Sequence, residues 1–421
     1  MNYRNYINRL FSIEFIFAFV AMPFVYGGAG GLGAPGLVRK LLVLIVIFSI
    51  AINIFRKEIR IGKVTLYGIG LYLLLLLYLT AGLLWSNFTY YGLSKIQLLW
   101  GHGLVLFLLS IWVFRDNEGI YRFLLGAALG TVILCVRTLT EFFPVYQTEG
   151  SSVAVKGLKL VVGHYQSISI EAAFGTIAGA GLLMYKNQSI IRLGLGLSSF
   201  ILGVTTVLYM GGHSGALAII IAGVFLTFAL FWPKHNMSFD WRHIVSIFFI
   251  IAGITSITYL WHQKNPPRAV ERAINRLDRI TDVNAEEDPR FELWGEALTI
   301  WNESPVFGYG TGNYKGYYGD MKKFVTYPHN LELELLADNG SLGLMLFFVL
   351  VFCVMSGYLI RRGNWTRTED IYVLMLFFSQ IAMAQFAGDI TSKGIHISLG
   401  FLLARSQFIF NQRYILVGKI A

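Results

Sequence analysis

The sequence predicts an all-α polytopic membrane protein, and three observations carry that prediction. The composition is 55% hydrophobic and only 14% charged, where soluble domains carry about 25% charged residues. Apolar runs recur along most of the chain, each close to the roughly 20 residues a helix needs to cross a bilayer. Short segments rich in charge, glycine or proline separate them. A dozen such spans consume about 240 residues, which leaves loops but no separate catalytic domain of ordinary size. Cys135 and Cys353 sit inside apolar runs and predict neither a disulfide framework nor a metal cluster. The formal charge of +10, in a chain of membrane spans, is read as basic loops facing anionic membrane lipids in preference to nucleic acid as a partner.

Taken in order, the runs fall at about residues 11–26, 38–55, 64–84, 98–114, 120–139, 167–185, 193–210, 215–232, 244–260, 342–360, 371–386 and 395–410. The first follows Arg4 and Arg9 without a small-residue cleavage site, so it reads as an uncleaved helix. The seventh and eighth are parted only by a short Gly-Gly-His-Ser turn. With the N-terminus inside, the inner segments hold 17 Lys and Arg and the short outer ones 7, so both termini are expected in the cytoplasm. The chain then divides into helices 1 to 9 over residues 1–262, one large periplasmic helical loop over 263–339, and helices 10 to 12 over 340–421. The cytoplasmic loops are too small for a nucleotide-binding domain. An activated substrate for outward-facing chemistry must therefore arrive already attached to a membrane lipid.

The large loop carries most of the polar chemistry. Pro266-Pro267 ends a span, after which Arg268, Arg272 and Arg276 recur one helical turn apart with Val270, Ala273, Ile274 and Leu277 opposite. This is an amphipathic helix on the membrane surface. Its arginines either adhere to headgroups, or one or two of them grip a lipid pyrophosphate, whose oxygens match the planar guanidinium. Asp288-Pro289 starts a second helix with Asp as cap and Pro in the first turn. Along it Phe291, Trp294, Leu298 and Trp301 form an apolar stripe, and Arg290 lies in its first turn. An ion pair with Glu286 or Glu287 is the plainer role for that arginine.

Ser304-Pro305 ends this helix, and Phe307-Gly308-Tyr309-Gly310-Thr311-Gly312-Asn313-Tyr314 follows. No strand precedes the alternating glycines, so a dinucleotide site is rejected. They suit a tight turn, or a platform on which sugar rings stack against tyrosines such as Tyr314. Asn330 is placed to cap a short helix that Gly340 ends. His329 then lies just before a helix N-terminus, where the positive end of the dipole favours the neutral imidazole a general base needs. The other histidines lie in or beside spans and are read as structural. Asn330 and Tyr314 join the arginines as candidate substrate contacts.

The run Arg290-x-x-x-Trp294, Ser304-Pro305-Val306-Phe307-Gly308-x-Gly310-x-Gly312, His329-Asn330 and Asn339-Gly340-x-x-Gly343 resembles the O-antigen ligase and polysaccharide polymerase superfamily over about residues 290–344. Elsewhere the likeness is one of topology, with a large late periplasmic loop and a Trp85-Ser86 pair after the third span. The resemblance implies a glycosyltransferase without metal or cofactor, fed by an undecaprenyl-diphosphate-linked glycan. Its ligases use lipid A-core as acceptor, its polymerases another lipid-linked repeat, and some relatives a protein. By position His329 matches the base and Arg290 the loop arginine. Members often carry Ser-Arg-Gly where the eighth span begins, but this chain reads Gly211-Gly212-His213-Ser214-Gly215. Arg137, Arg272 or a protonated His213 is then expected to complete the phosphate clamp.

The expectation is therefore an inverting glycan transfer at the outer leaflet of the bacterial inner membrane, in the manner of an O-antigen ligase, with a polymerase as the alternative. A secondary transporter is the rival class, since it too has a dozen spans and a midplane site. Ionisable candidates for such a site are few, chiefly Glu14, Glu171 and Arg405, and the two halves show no obvious repeat.

Overall fold

The computed structural model describes residues 13–21, 62–87, 89–113, 117–149, 165–184, 189–231, 289–314, 327–361, 368–385 and 389–417. All regular structure among them is helical. In chain order the helices are α1 (Ile13–Ala21), α2 (Lys63–Ala81), α3 (Thr89–Leu98), α4 (Leu104–Val113), α5 (Asn117–Glu149), α6 (Tyr165–Leu183), α7 (Ile190–Met210), α8 (His213–Phe231), α9 (Pro289–Glu303), α10 (Leu331–Arg361), α11 (Thr368–Ala384) and α12 (Lys393–Val417). A 3₁₀ turn, Gly82–Leu84, extends α2, and a π turn, Leu99–Gly103, joins α3 to α4.

Among the described residues, five segments are long and apolar enough to cross a membrane: Lys63–Leu84, Tyr90–Ile111, Asn117–Gln147, Ile190–Met210 and Leu331–Leu359. Shorter apolar helices lie at Ile168–Leu183, Ser214–Val224 and Asp370–Ala384. The expected runs 38–55 and 244–260 fall outside the described residues, as does the arginine helix of residues 268–279. The separation of the seventh and eighth runs holds, because Gly211 leaves the helix at φ 66° and caps α7 in the left-handed region that glycine favours. Two boundaries differ from expectation. The fourth run starts earlier, at Thr89, so Lys95 lies in a helix and not in an outer loop. The fifth continues past its expected end at residue 139, through Pro144 to Glu149.

Two compact units emerge. The first comprises residues 1–46, 117–285 and 365–379. Here α6 and α7 approach closely through small residues: Gly179 meets the Gly196 backbone, and the Ser199 hydroxyl donates to the Gly175 carbonyl at 2.8 Å. Small residues suit this role because lipid offers no hydrophobic drive between helices, so backbone approach and hydrogen bonds supply the contact. Glu14 on α1 is met by Arg122 on α5 at 3.6 Å, an ion pair that accounts for one of the intramembrane acids without a transport role.

The second unit comprises residues 47–116, 286–364 and 380–421. In it Tyr72 of α2 stacks on Phe107 of α4 with centroids 4.0 Å apart and bonds the His396 Nδ1 of α12 at 2.8 Å. The Ser406 hydroxyl of α12 donates to the Gly357 carbonyl of α10 at 2.9 Å. His329, Arg290, the glycine run and Trp85-Ser86 all belong to this unit.

Candidate functional site

α9 begins at Pro289, whose fixed φ and missing N–H suit the first turn. Its buried face is Leu293, Ala297 and Ile300, the last two packing with Tyr314 of the glycine segment and Ala337 of α10. The expected stripe of Phe291, Trp294, Leu298 and Trp301 is instead peripheral, with Phe291 and Leu298 exposed. The two tryptophans lie at the edges because their N–H groups need acceptors. Trp301 Nε1 donates to the Pro305 carbonyl at 3.0 Å and the Ser341 hydroxyl at 3.1 Å, and Trp294 Nε1 to the Pro328 carbonyl at 3.1 Å.

The segment after α9 runs as a backbone ribbon against α10. Tyr309 and Gly310 donate their N–H groups to the carbonyls of Ala337 and Asp338, at 3.1 and 2.7 Å. Gly308, Gly310 and Gly312 all have positive φ, at 67°, 97° and 80°. Gly310 abuts Gly82 and Ser86, and Gly312 abuts Gly92, so no side chain fits. The alternating glycines are therefore a close-packing device. Tyr314, expected as a sugar contact, is 2% exposed. Its hydroxyl reaches the Leu293 carbonyl at 3.2 Å and Glu296 at 3.3 Å, so the ring is a core residue with no face for a sugar.

His329 stands where the sequence predicts, two residues before α10. Asn330 caps the helix, its Oδ1 accepting from Leu333 N at 3.0 Å while its Nδ2 donates to Gln385 at 3.2 Å. Gln385 in turn donates to Glu332 at 2.8 Å. Among the described residues His329 is the one non-glycine with positive φ, 56°, a conformation that costs of order 1 kcal/mol and concentrates at functional sites. Its ring lies 4.4 Å from that of Tyr327. Burial, and then the charge of Arg290, lower its pKa below the usual value near 6.5, with Asp389 opposing. The expected direction holds, with burial and Arg290 as the causes. Burial also raises the Tyr327 phenol, which stays neutral.

Beneath this lies a charged cluster that sequence reasoning missed. Lys95 of α3, 3% exposed, pairs with Glu334 and Asp338, both 1% exposed and one turn apart on α10. The Asp338 carboxylate accepts from Lys95 Nζ at 2.9 Å and from the backbone of Gly312 and Tyr314 at 2.8 Å each. Glu334 accepts from Ile390 N at 2.9 Å. Asn339 donates to the Thr311 hydroxyl at 2.8 Å, which donates to the Leu79 carbonyl at 2.6 Å. α10 then breaks at Gly340, φ 66° and ψ −173°, as the sequence predicts.

The structure thus brings His329, Arg290 and Asn330 together in the second unit. Arg137 lies in the first, its Nε donating to Glu141 at 3.2 Å one turn on. His213 opens α8 in that unit as well. Arg268, Arg272 and Arg276 are outside the described residues.

Residues 198–348 match the model of a family described as O-antigen ligase. The matched residues include α9, the glycine ribbon, His329 and the break at Gly340, so this part of the chain is similar to that family. None of the curated proteins compared with the chain matches it.

Proposed function

We propose that this protein is a glycosyltransferase of the bacterial inner membrane, with about twelve spans and both termini cytoplasmic. It moves a glycan from undecaprenyl diphosphate to an acceptor hydroxyl at the periplasmic face. The observation that carries this reading is His329, held in a strained left-handed conformation before a capped helix, with Arg290 acting on it electrostatically. An imidazole kept neutral beside a fixed cation is equipped to take a proton next to a departing anion.

In the reaction proposed, the acceptor hydroxyl attacks the anomeric carbon and gives its proton to the free nitrogen of His329. The new carbon–oxygen bond forms as the bond to the diphosphate oxygen breaks, and the electron pair leaves with undecaprenyl diphosphate. Direct displacement inverts the anomeric centre. Diphosphate is already a good leaving group, so charge neutralisation by arginine is sufficient help. Arg290 is assigned to that task. Lipid A-core is the acceptor we favour, which makes the enzyme an O-antigen ligase.

Purified protein in detergent, given a lipid-linked glycan and lipid A-core, should form the glycoconjugate without any membrane gradient. Failure to transfer to either kind of acceptor would refute the reading. In cells lacking the protein, loss of long chains from lipid A with lipid-linked chains accumulating is expected. Capping at one repeat would instead mean a polymerase.

Two further results are expected. Because the His329 pKa is lowered, the neutral base persists to lower pH than for free histidine. kcat/KM should fall only as pH drops below about 6.5, and an acid limb at or above that value would contradict the assignment. Arg290→Gln removes the charge that lowers the pKa, so the limb should move upward. Arg290→Lys should keep the limb near its native position yet lose activity, since an ammonium does not reproduce the bidentate fork. Native kcat/KM in the lysine variant would reduce Arg290 to a background charge.

A further inference from the structure

Lys95 sits where three parts of the second unit meet. It rises from α3, and its ammonium pairs with Glu334 and Asp338. Through Asp338 it reaches the glycine ribbon, because the same carboxylate accepts from Gly312 and Tyr314. Through Glu334 it reaches the turn before α12, because the other oxygen of that carboxylate accepts from Ile390 N. That turn folds on Asp389, whose Oδ1 accepts from Thr391 N at 3.0 Å and its hydroxyl at 2.7 Å. Asp389 is in turn one of the charges that His329 senses. The lysine touches neither His329 nor solvent.

We infer that Lys95 is a positioning residue: with Glu334 and Asp338 it ties α3, the glycine ribbon and the Asp389 turn to the helix that presents His329. Beside the ammonium, three backbone N–H groups from two separate segments donate to the two carboxyl groups. The arrangement therefore fixes segments and does more than balance charge. The consequence for catalysis rests on the transfer reading above, whereas the mechanical coupling does not.

The test uses the full-length protein in detergent. Lys95→Met alone strands two buried carboxylates, so the double variant Lys95→Met with Glu334→Gln is the informative one. It keeps an acceptor for Ile390 N–H but removes the bridge. Amide hydrogen exchange should quicken in residues 389–393 and 310–314, while α7 exchanges at its native rate. Transfer kcat should fall about 10²-fold, the scale of a roughly 1 Å misplacement of a catalytic group, with KM near native; the melting temperature should fall as well, since Asp338 keeps a buried charge without its ammonium. Native exchange in both segments would overturn the coupling. Faster exchange with native kcat would overturn its catalytic role. If the double variant does not fold, Lys95→Arg serves: it retains charge and length, and positioning requires kcat to fall with unchanged KM, whereas native kcat would overturn it. Altered exchange in a protein whose native form transfers nothing would sink the glycosyltransferase reading and leave the coupling standing.

Discussion

Alanine in place of His329 is expected to cut glycan transfer by about 10²- to 10⁴-fold, the contribution of a positioned general base, with abundance and melting temperature close to native. The loss should be confined to chemistry because the imidazole holds little else in place. Asn330 caps α10 through its own side chain, and Trp294 fixes the chain through the Pro328 carbonyl. The backbone at φ 56° disfavours alanine about as much as histidine, so His329→Gly is the informative control. Glycine relieves the left-handed strain and should be at least as stable as the native protein while equally inactive. Transfer near the native rate in either variant would remove His329 from the mechanism. Loss of folded protein in both would mean that the imidazole is structural.

Asp338→Ala should produce the largest loss of stability. It removes one of the two partners of a buried ammonium and the acceptor for two buried N–H groups at once. Breaking a buried ion pair from one side costs about 3–5 kcal/mol, a large share of the roughly 5–15 kcal/mol by which folded proteins are stable. The expected outcome is little folded protein and a sharply lower melting temperature in detergent. Asp338→Asn retains one acceptor and should fall between. An alanine variant that melts like the native protein would show that water replaces the carboxylate, and the cluster would then lose its structural importance.

Much of the site's frame was legible because it depends on neighbours in sequence. Pro289 starting α9, Ser304-Pro305 ending it, Asn330 as a cap and Gly340 as a break each follow from local backbone chemistry, and His329 is located by them. The charged cluster was not legible, since Lys95 and Asp338 lie 243 residues apart. The available signal was a lysine in a helix-length apolar run, together with Glu334 and Asp338 one turn apart among leucines. Buried charges in such positions need partners. Tyr314 was misplaced for a different reason: a tyrosine beside glycines reads equally as an outward ring or an inward anchor, and only the Asp338 carboxylate, by drawing its backbone inward, decides between them.

Gly340 gives the molecule a fixed elbow. Its ψ of −173° with positive φ belongs to a region open essentially to glycine alone, and a side chain there would strike the Val306 carbonyl. Ser341 and Leu342 donate across the bend to Pro305 and Val306 at 2.8 and 3.2 Å, so the joint is braced on both sides. The nine residues from Leu331 to Asn339 form a rigid arm about 14 Å long between the elbow and the imidazole. Such an arm works as a depth gauge: it holds His329 at one height above the apolar part of its own helix. On the proposed transfer reading, an acceptor would be selected by how far its hydroxyl stands from the bilayer as well as by which sugar bears it.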